Sequence, residues 1–328
     1  MSHANTKSPT AGIDVAKRKL DLALTGSAER LEAPNDTAGH ARIGEWLRAH
    51  GVQRVGLEAS GHYEAAIAAF LRQRGFEVLV LDPCQIQGWR RFQKRRAKTD
   101  PIDAALIAEA AAAVKTTRPP PDPRLVPLAE HLTFIEQINE DIARLKTRRD
   151  RYTDATLKRS LEAAIKRLTT QRKRSIAKLV AMLRRLPDLA HRLDLLLSIP
   201  GVGEITAATL VIRMPELGRL TREEAAALLG VAPINADSGE HQGARHIAGG
   251  RARLRRAVFL AAFTAAQHWN SLLQATYTRL RAAGKHHTLA TVACARKLII
   301  LANAIIARNT PWQDEAPARP SQITALAA

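Results

Sequence analysis

The spacing of apolar and polar positions changes along the chain, and each change marks an element. Gly12-Ile13-Asp14-Val15-Ala16 reads as a short strand. Leu20-Asp21-Leu22-Ala23-Leu24 alternates as its hairpin partner would, with Lys17-Arg18-Lys19 at the turn. Thr37 to His50 has helical spacing, Arg54-Val55-Gly56-Leu57-Glu58 is again a strand, and His62 to Arg74 is a helix that Gly75 can end. Phe76 to Leu81 is a buried strand broken by Asp82-Pro83, and Pro101 to Val114 is a helix.

A hairpin followed by strands that alternate with helices predicts a mixed α/β domain over residues 11–118, with a ribonuclease-H-like rather than a doubly wound sheet. Arg118-Pro119-Pro120-Pro121-Asp122-Pro123 is a stiff linker. From Leu125 to Leu186 there is no Gly and a single Pro, Pro127, which predicts a hairpin of two long helices within a linker over 124–190. Ile135, Ile138, Ile142 and Leu145 form an apolar seam of coiled-coil spacing. A third, all-helical domain follows over 191–310, and residues 1–10 and 311–328 are expected to be disordered tails.

Composition narrows the function. Of the 328 residues, 46% are hydrophobic and 4% aromatic, so the core is aliphatic. A net charge of +19 points to a polyanion, most often nucleic acid. Arg172, Lys173 and Arg174 belong to a dense basic run on the linker helices, where like charges at helical spacing repel unless an anion offsets them. A solvated basic face is the plainer reading. Cys84 and Cys294 are isolated, which excludes a zinc finger or a disulfide framework. No secretory leader is visible. The apolar run Leu298 to Ala307 falls short of the roughly 18 residues a membrane span needs, so no membrane partner is expected.

Four carboxylates sit where such a sheet can gather metal ligands: Asp14 within the first strand, Glu58 at a strand end, and Asp100 and Asp103 at a helix start. Clustered carboxylate oxygens suit hard divalent cations, and two ions bridging a phosphate stabilise both its attacking and leaving oxygens. Asp100 before Pro101 is also an ordinary helix cap. Asp14, between Ile13 and Val15, is costly to bury unless paired or metal-bound. Arg90, Arg91, Lys94, Arg95, Arg96 and Lys98, interleaved with Phe92, lie just before Asp100 and suit a nucleic-acid backbone.

Ile199-Pro200-Gly201-Val202-Gly203 between two apolar stretches reads as a helix-hairpin-helix, in which Gly201 and Gly203 let backbone amides approach a phosphate; a plain helix connection has the same look. Ser238 precedes Gly239 in a loop followed by Arg251, Arg253, Arg255 and Arg256. A serine nucleophile needs a base, a metal or a strongly positive surround, which these arginines with His241 or His246 can supply. No Gly-x-Ser-x-Gly elbow is present, which argues against acyl-transfer hydrolysis.

Gly-Ile-Asp-Val-Ala-Lys (12–17), Leu-Glu-Ala-Ser-Gly (57–61), Lys-Thr-Asp-Pro-Ile-Asp-Ala (98–104), Ile-Pro-Gly-Val-Gly (199–203) and Gly-Val-Ala-Pro…Ser-Gly (230–239), in this order, resemble the DEDD-plus-serine transposases of bacterial insertion sequences. That family is related to Piv-type DNA invertases and includes bridge-RNA-guided recombinases. The resemblance covers about residues 11–310. It implies a RuvC-like first domain, a coiled-coil linker and a C-terminal transposase domain. It places the family's acid tetrad on Asp14, Glu58, Asp100 and Asp103 and implies Mg2+ as the cofactor and Ser238 as the nucleophile in a phosphoserine–DNA intermediate. It further implies DNA as substrate, a noncoding bridge RNA as partner, a homo-oligomer (dimer or tetramer) and a bacterial cytoplasmic, nucleoid-associated setting. Two rivals remain at this level. A RuvC-like nuclease or junction resolvase needs only the acids. An actin-like phosphotransferase expects a second glycine-rich phosphate loop, which the sequence does not have.

Overall fold

Five strands form one mixed sheet in the order β3-β2-β1-β4-β5: β1 (Thr10–Val15), β2 (Lys19–Leu24) and β3 (Arg30–Pro34), then α1 (Thr37–Ala49), β4 (Arg54–Glu58), α2 (Ala65–Gln73) and β5 (Glu77–Leu81). The first three strands are antiparallel neighbours, and β4 and β5 add in parallel on the other side of β1. Helices α3 (Pro83–Phe92) and α4 (Asp100–Ala113) complete this unit. The computed structural model describes residues 8–61, 63–93, 100–115, 122–234 and 246–313. The chain divides at Pro120 into two units, each described by itself.

The period-2 pattern separates the two faces of the sheet. Ile13, Leu20, Leu22, Val55 and Leu57 share a core with Ile43 and Leu47 of α1 and Ile67 and Leu71 of α2. On the other face, Leu79 and Leu81 meet Ile86 of α3 and Leu106, Ile107 and Ala111 of α4. Two elements differ from the sequence reading. The edge strand β3 was not expected, because only Leu31 and Ala33 alternate there among exposed charges. The Asp82-Pro83 pair, read as a strand breaker, also starts α3: Asp82 and Gln85 form a capping box with Pro83 in the first turn. β1 starts at Thr10, within the expected N-terminal tail; residues 1–7 lie outside the described residues.

The second unit opens with the long helices α5 (Leu125–Asp150) and α6 (Ala155–Arg184), the latter capped by Asp154. Next come α7 (Pro187–Leu197), α8 (Glu204–Arg213), α9 (Arg222–Leu229) and the two-residue strands β6 (Pro233–Ile234) and β7 (His246–Ile247). Then α10 (Ala252–Thr264), a π-helical turn (Ala265–Trp269), α11 (Ser271–Ala282) and α12 (His287–Arg308) follow. Leu128, Leu132 and Ile135 of α5 and Leu179 and Leu183 of α6 enter the same core as Leu193, Leu210, Leu254 and Leu298. The base of the helical hairpin is therefore built into the helical body. The expected all-helical stretch contains one antiparallel strand pair, β6–β7.

Leu298 to Ala307 is only part of α12, a 22-residue helix long and apolar enough by composition to cross a bilayer. That corrects the sequence reading, which measured the run from Leu298 alone. In this fold α12 is a core helix, with Cys294, Leu298, Ile299 and Ala302 fully buried. Trp312, within the expected C-terminal tail, packs against the core and donates its backbone N–H to Ser198 Oγ at 2.8 Å. Residues 314–328 lie outside the described residues.

Candidate active site

Strand register sets the first part of the site. β1 and β4 run in parallel with Ile13 opposite Leu57, so the next residues, Asp14, one before the end of β1, and Glu58, the last of β4, lie side by side on adjacent strands. Both are half-buried on the face that also carries Gly12 and Gly56. That face lies under α4. A Cβ on Gly12 would stand 2.1 Å from the Ala104 carbonyl oxygen, and one on Gly56 would stand 2.5 Å from Ala111 Cβ. Only glycine lets the helix come this close.

The direction of α4 follows from the same contacts. Arg54, two residues before Gly56, donates to the Val114 carbonyl at 2.9 Å, and Gly56 sits under Ala111 and Ile107. Moving toward Glu58 along β4 therefore means moving toward the N-terminus of α4. Two strand residues cover about 6.6 Å, the length of roughly four helical residues. From Gly12, which lies under Ala104 and Ala108, that step brings the first turn of α4, with Asp103, level with Asp14 and Glu58. The antiparallel orientation of helix and strand thus directs three of the four nominated acids to one edge. Asp100 is the first residue of α4, and its side chain lies outside the described residues.

Asp103 is buried, 7% exposed, and its carboxylate is ion-paired with the guanidinium of Arg90 on α3. Arg90 Nε is buried with no acceptor among the described residues, and so is Trp89 Nε1. Among the described residues no three His, Cys, Asp or Glu side chains stand close enough to hold one ion. The donor set, all carboxylate oxygen, has the chemistry a Mg2+ site needs. Its described members form no cage, and Asp103 is engaged by Arg90.

One acid was missed in the sequence. Asp21 stands directly opposite Asp14 across β1 and β2, on the same face, and Glu32 stands opposite Asp21 on β3. Lys19 bridges the last two, at 3.1 Å from Asp21 and 3.0 Å from Glu32, and these carboxylates, Glu32 first, raise its pKa above the ordinary lysine value. The turn held the signal. Ala16 N–H donates to the Lys19 carbonyl across the two-residue loop Lys17-Arg18, a count that forces Asp14 opposite Asp21.

Ser238 lies in 235–245, outside the described residues, as do Lys94, Arg95, Arg96 and Lys98 in 94–99. The ends of the serine segment are described. Ile234 pairs with His246 and Pro233 with Ile247, so the chain leaves and returns on adjacent strands. Arginines brace this base. Arg255 donates to the carbonyls of Gly249 (2.6 Å) and Gly230 (3.3 Å), and Arg251 to Glu216 and to the Arg213 carbonyl. Arg253 pairs with Glu136 of α5 at 3.0 Å, while Arg256 is exposed. Three of the four arginines nominated to face phosphate thus have partners within the fold.

The other nominated contacts divide in the same way. Lys173 and Arg174 are exposed on α6, whereas Arg172 is half-buried and donates to Asn139 of α5 at 3.0 Å. Arg91 and Phe92 are exposed on α3. Gly201 lies in the α7–α8 turn against Ala265 of the π-helical turn, and Gly203 caps α8, whose first residue is the anionic Glu204.

Residues 11–159 match the family model of DEDD-type IS110 transposases, described as "Transposase". Residues 193–278 match a model described as "Transposase IS116/IS110/IS902 family". The chain is similar to the pilin gene-inverting protein of Moraxella bovis, 25% identical over 320 residues that cover 92% of this chain and 96% of the relative. The protein of the same name from Moraxella lacunata matches to the same extent. An uncharacterized 43.6 kDa protein of insertion element IS110 from Streptomyces coelicolor is 33% identical over 162 residues, 48% of this chain and 38% of its own length.

Proposed function

Since the chain belongs to the IS110/IS116/IS902 family of transposases and is a DNA transposase/recombinase, we propose that it cuts and rejoins DNA through a phosphoserine intermediate on Ser238, with a divalent metal held by Asp14, Glu58, Asp100 and Asp103 on a RuvC-like sheet. The observation that supports the acid half is that Asp14 and Glu58 lie side by side on adjacent strands, on the face that α4 covers. Bound Mg2+ would supply Lewis-acid polarisation of the scissile phosphate. Ser238 Oγ attacks the phosphorus, an Oγ–P bond forms, the P–O3′ bond breaks, and the 3′ oxygen leaves with a proton. The 3′-hydroxyl of another strand then attacks the same phosphorus, giving a new diester and returning the proton to Ser238. Arg251 and Arg255 act as positioning residues for the serine segment through its base.

The names of the pilin gene-inverting relatives extend the reading to inversion of a DNA segment. Exposed cations of α6, Lys173 and Arg174 among them, are the proposed contacts for DNA or for a noncoding bridge RNA. A homo-oligomer working at the bacterial nucleoid completes the proposal. The test uses labelled target DNA, with the element's RNA supplied. Wild-type protein should carry denaturant-resistant, protease-sensitive label, and Ser238→Ala should carry none. Equal label on both proteins, mapping to another residue, overturns the serine mechanism; cleavage by Ser238→Ala without any label favours a metal nuclease that uses water.

A further inference from the structure

The ion pair between Arg90 and Asp103 stands where the reading above places a metal ligand. Asp103 is buried, and its counter-charge in the structure is the Arg90 guanidinium from α3. Asp14 and Glu58 lie side by side on adjacent strands, on the face that α4 covers, and the start of α4 brings Asp103 level with them. A divalent ion at this edge needs an Asp103 oxygen, and so does Arg90. The guanidinium is held incompletely: its Nε is buried without an acceptor among the described residues. A divalent ion held at this edge would compete with Arg90 for that carboxylate.

We infer that Arg90 is a resident counter-cation of the acid edge, holding Asp103 while no metal is bound and giving it up when a divalent ion enters. This rests on the metal reading above and adds a positioning residue to it. Arg90 neutralises Asp103 in the metal-free protein, and release of the guanidinium is a step of metal binding. The freed side chain lies beside exposed Arg91 and Phe92 and is then available to a phosphate.

The experiment is Mn2+ titration of the full chain without DNA, followed by calorimetry. Arg90→Gln should tighten Mn2+ binding by about tenfold, the factor one charge-assisted hydrogen bond corresponds to. It should also enlarge the rise in Tm that Mn2+ produces. Arg91→Gln removes the same charge from the neighbouring exposed position and should change affinity by no more than about twofold. Equal tightening in the two variants would reduce the effect to a general field and overturn the inference; so would unchanged or weaker binding in Arg90→Gln while Asp14→Asn still abolishes binding. Binding unaffected by Asp14→Asn would instead overturn the metal reading. Should Arg90→Gln fail to fold, arginine side-chain 15N NMR of the wild type decides: Mg2+ should speed the rotation of one slow guanidinium, and no change at saturating metal overturns the inference.

Discussion

Asp14 and Asp21 face each other across the β1–β2 hairpin, two carboxylates in register on one side of the sheet. Like charges directly opposite destabilise a strand pair, and Lys19, bonded to Asp21 and Glu32, offsets the cost. Lys19→Met should lower Tm, and Asp21→Asn in the same chain should recover part of the loss. A thermal-melt double-mutant cycle that shows strict additivity would mean that Lys19 does not serve Asp21.

Replacing Asp14 by Asn keeps the size of the side chain and removes the charge. Strand cleavage in Mg2+ should fall by at least about a hundredfold, while nucleic-acid binding, carried by Lys and Arg, stays within about twofold. Parallel gel cleavage and filter-binding assays check all of this, and normal cleavage by the variant would remove Asp14 from the chemistry.

Gly12→Ala would place a methyl group 2.1 Å from the Ala104 carbonyl oxygen, so the α4 backbone must move. The expected cost is about 1–3 kcal/mol in urea unfolding, together with loss of cleavage as Asp103 shifts. Gly88→Ala, on α3 with open space around it, should be neutral or stabilising by up to about 1 kcal/mol. Equal effects from the two substitutions would show that the closeness of α4 to β1 does not matter.

The basic residues of α6 should separate by role. Lys173→Gln and Arg174→Gln should each reduce the log–log salt slope of nucleic-acid binding by about 0.7–0.9. Arg172→Gln should leave the slope nearly unchanged and cost about 1 kcal/mol of stability, because its guanidinium bonds Asn139 across the helical hairpin. Salt-series binding isotherms and urea melts of the three variants test the division.

Local pattern carries far along this chain because it is a matter of neighbours in sequence. Alternation marked β1, β2, β4 and β5; a long stretch without glycine marked α5 and α6; the prolines at 119–123 fell where the two units divide. The acids of interest were visible as charges on strands that must bury their flanks. Partnership between distant residues was not visible. β3 carries too few apolar positions to announce itself and is a strand because β2 offers its edge. Arg90, Arg251, Arg253 and Arg255 count as cations in any composition, yet each bonds a carboxylate or carbonyl that folding brings to it. Net charge follows from composition alone, whereas the direction each guanidinium takes depends on which acceptors packing has removed from water. The side-by-side placing of Asp14 and Glu58 under α4 likewise required the sheet register and the close approach of that helix, since periodicity names the face of an element and only tertiary packing chooses what that face meets.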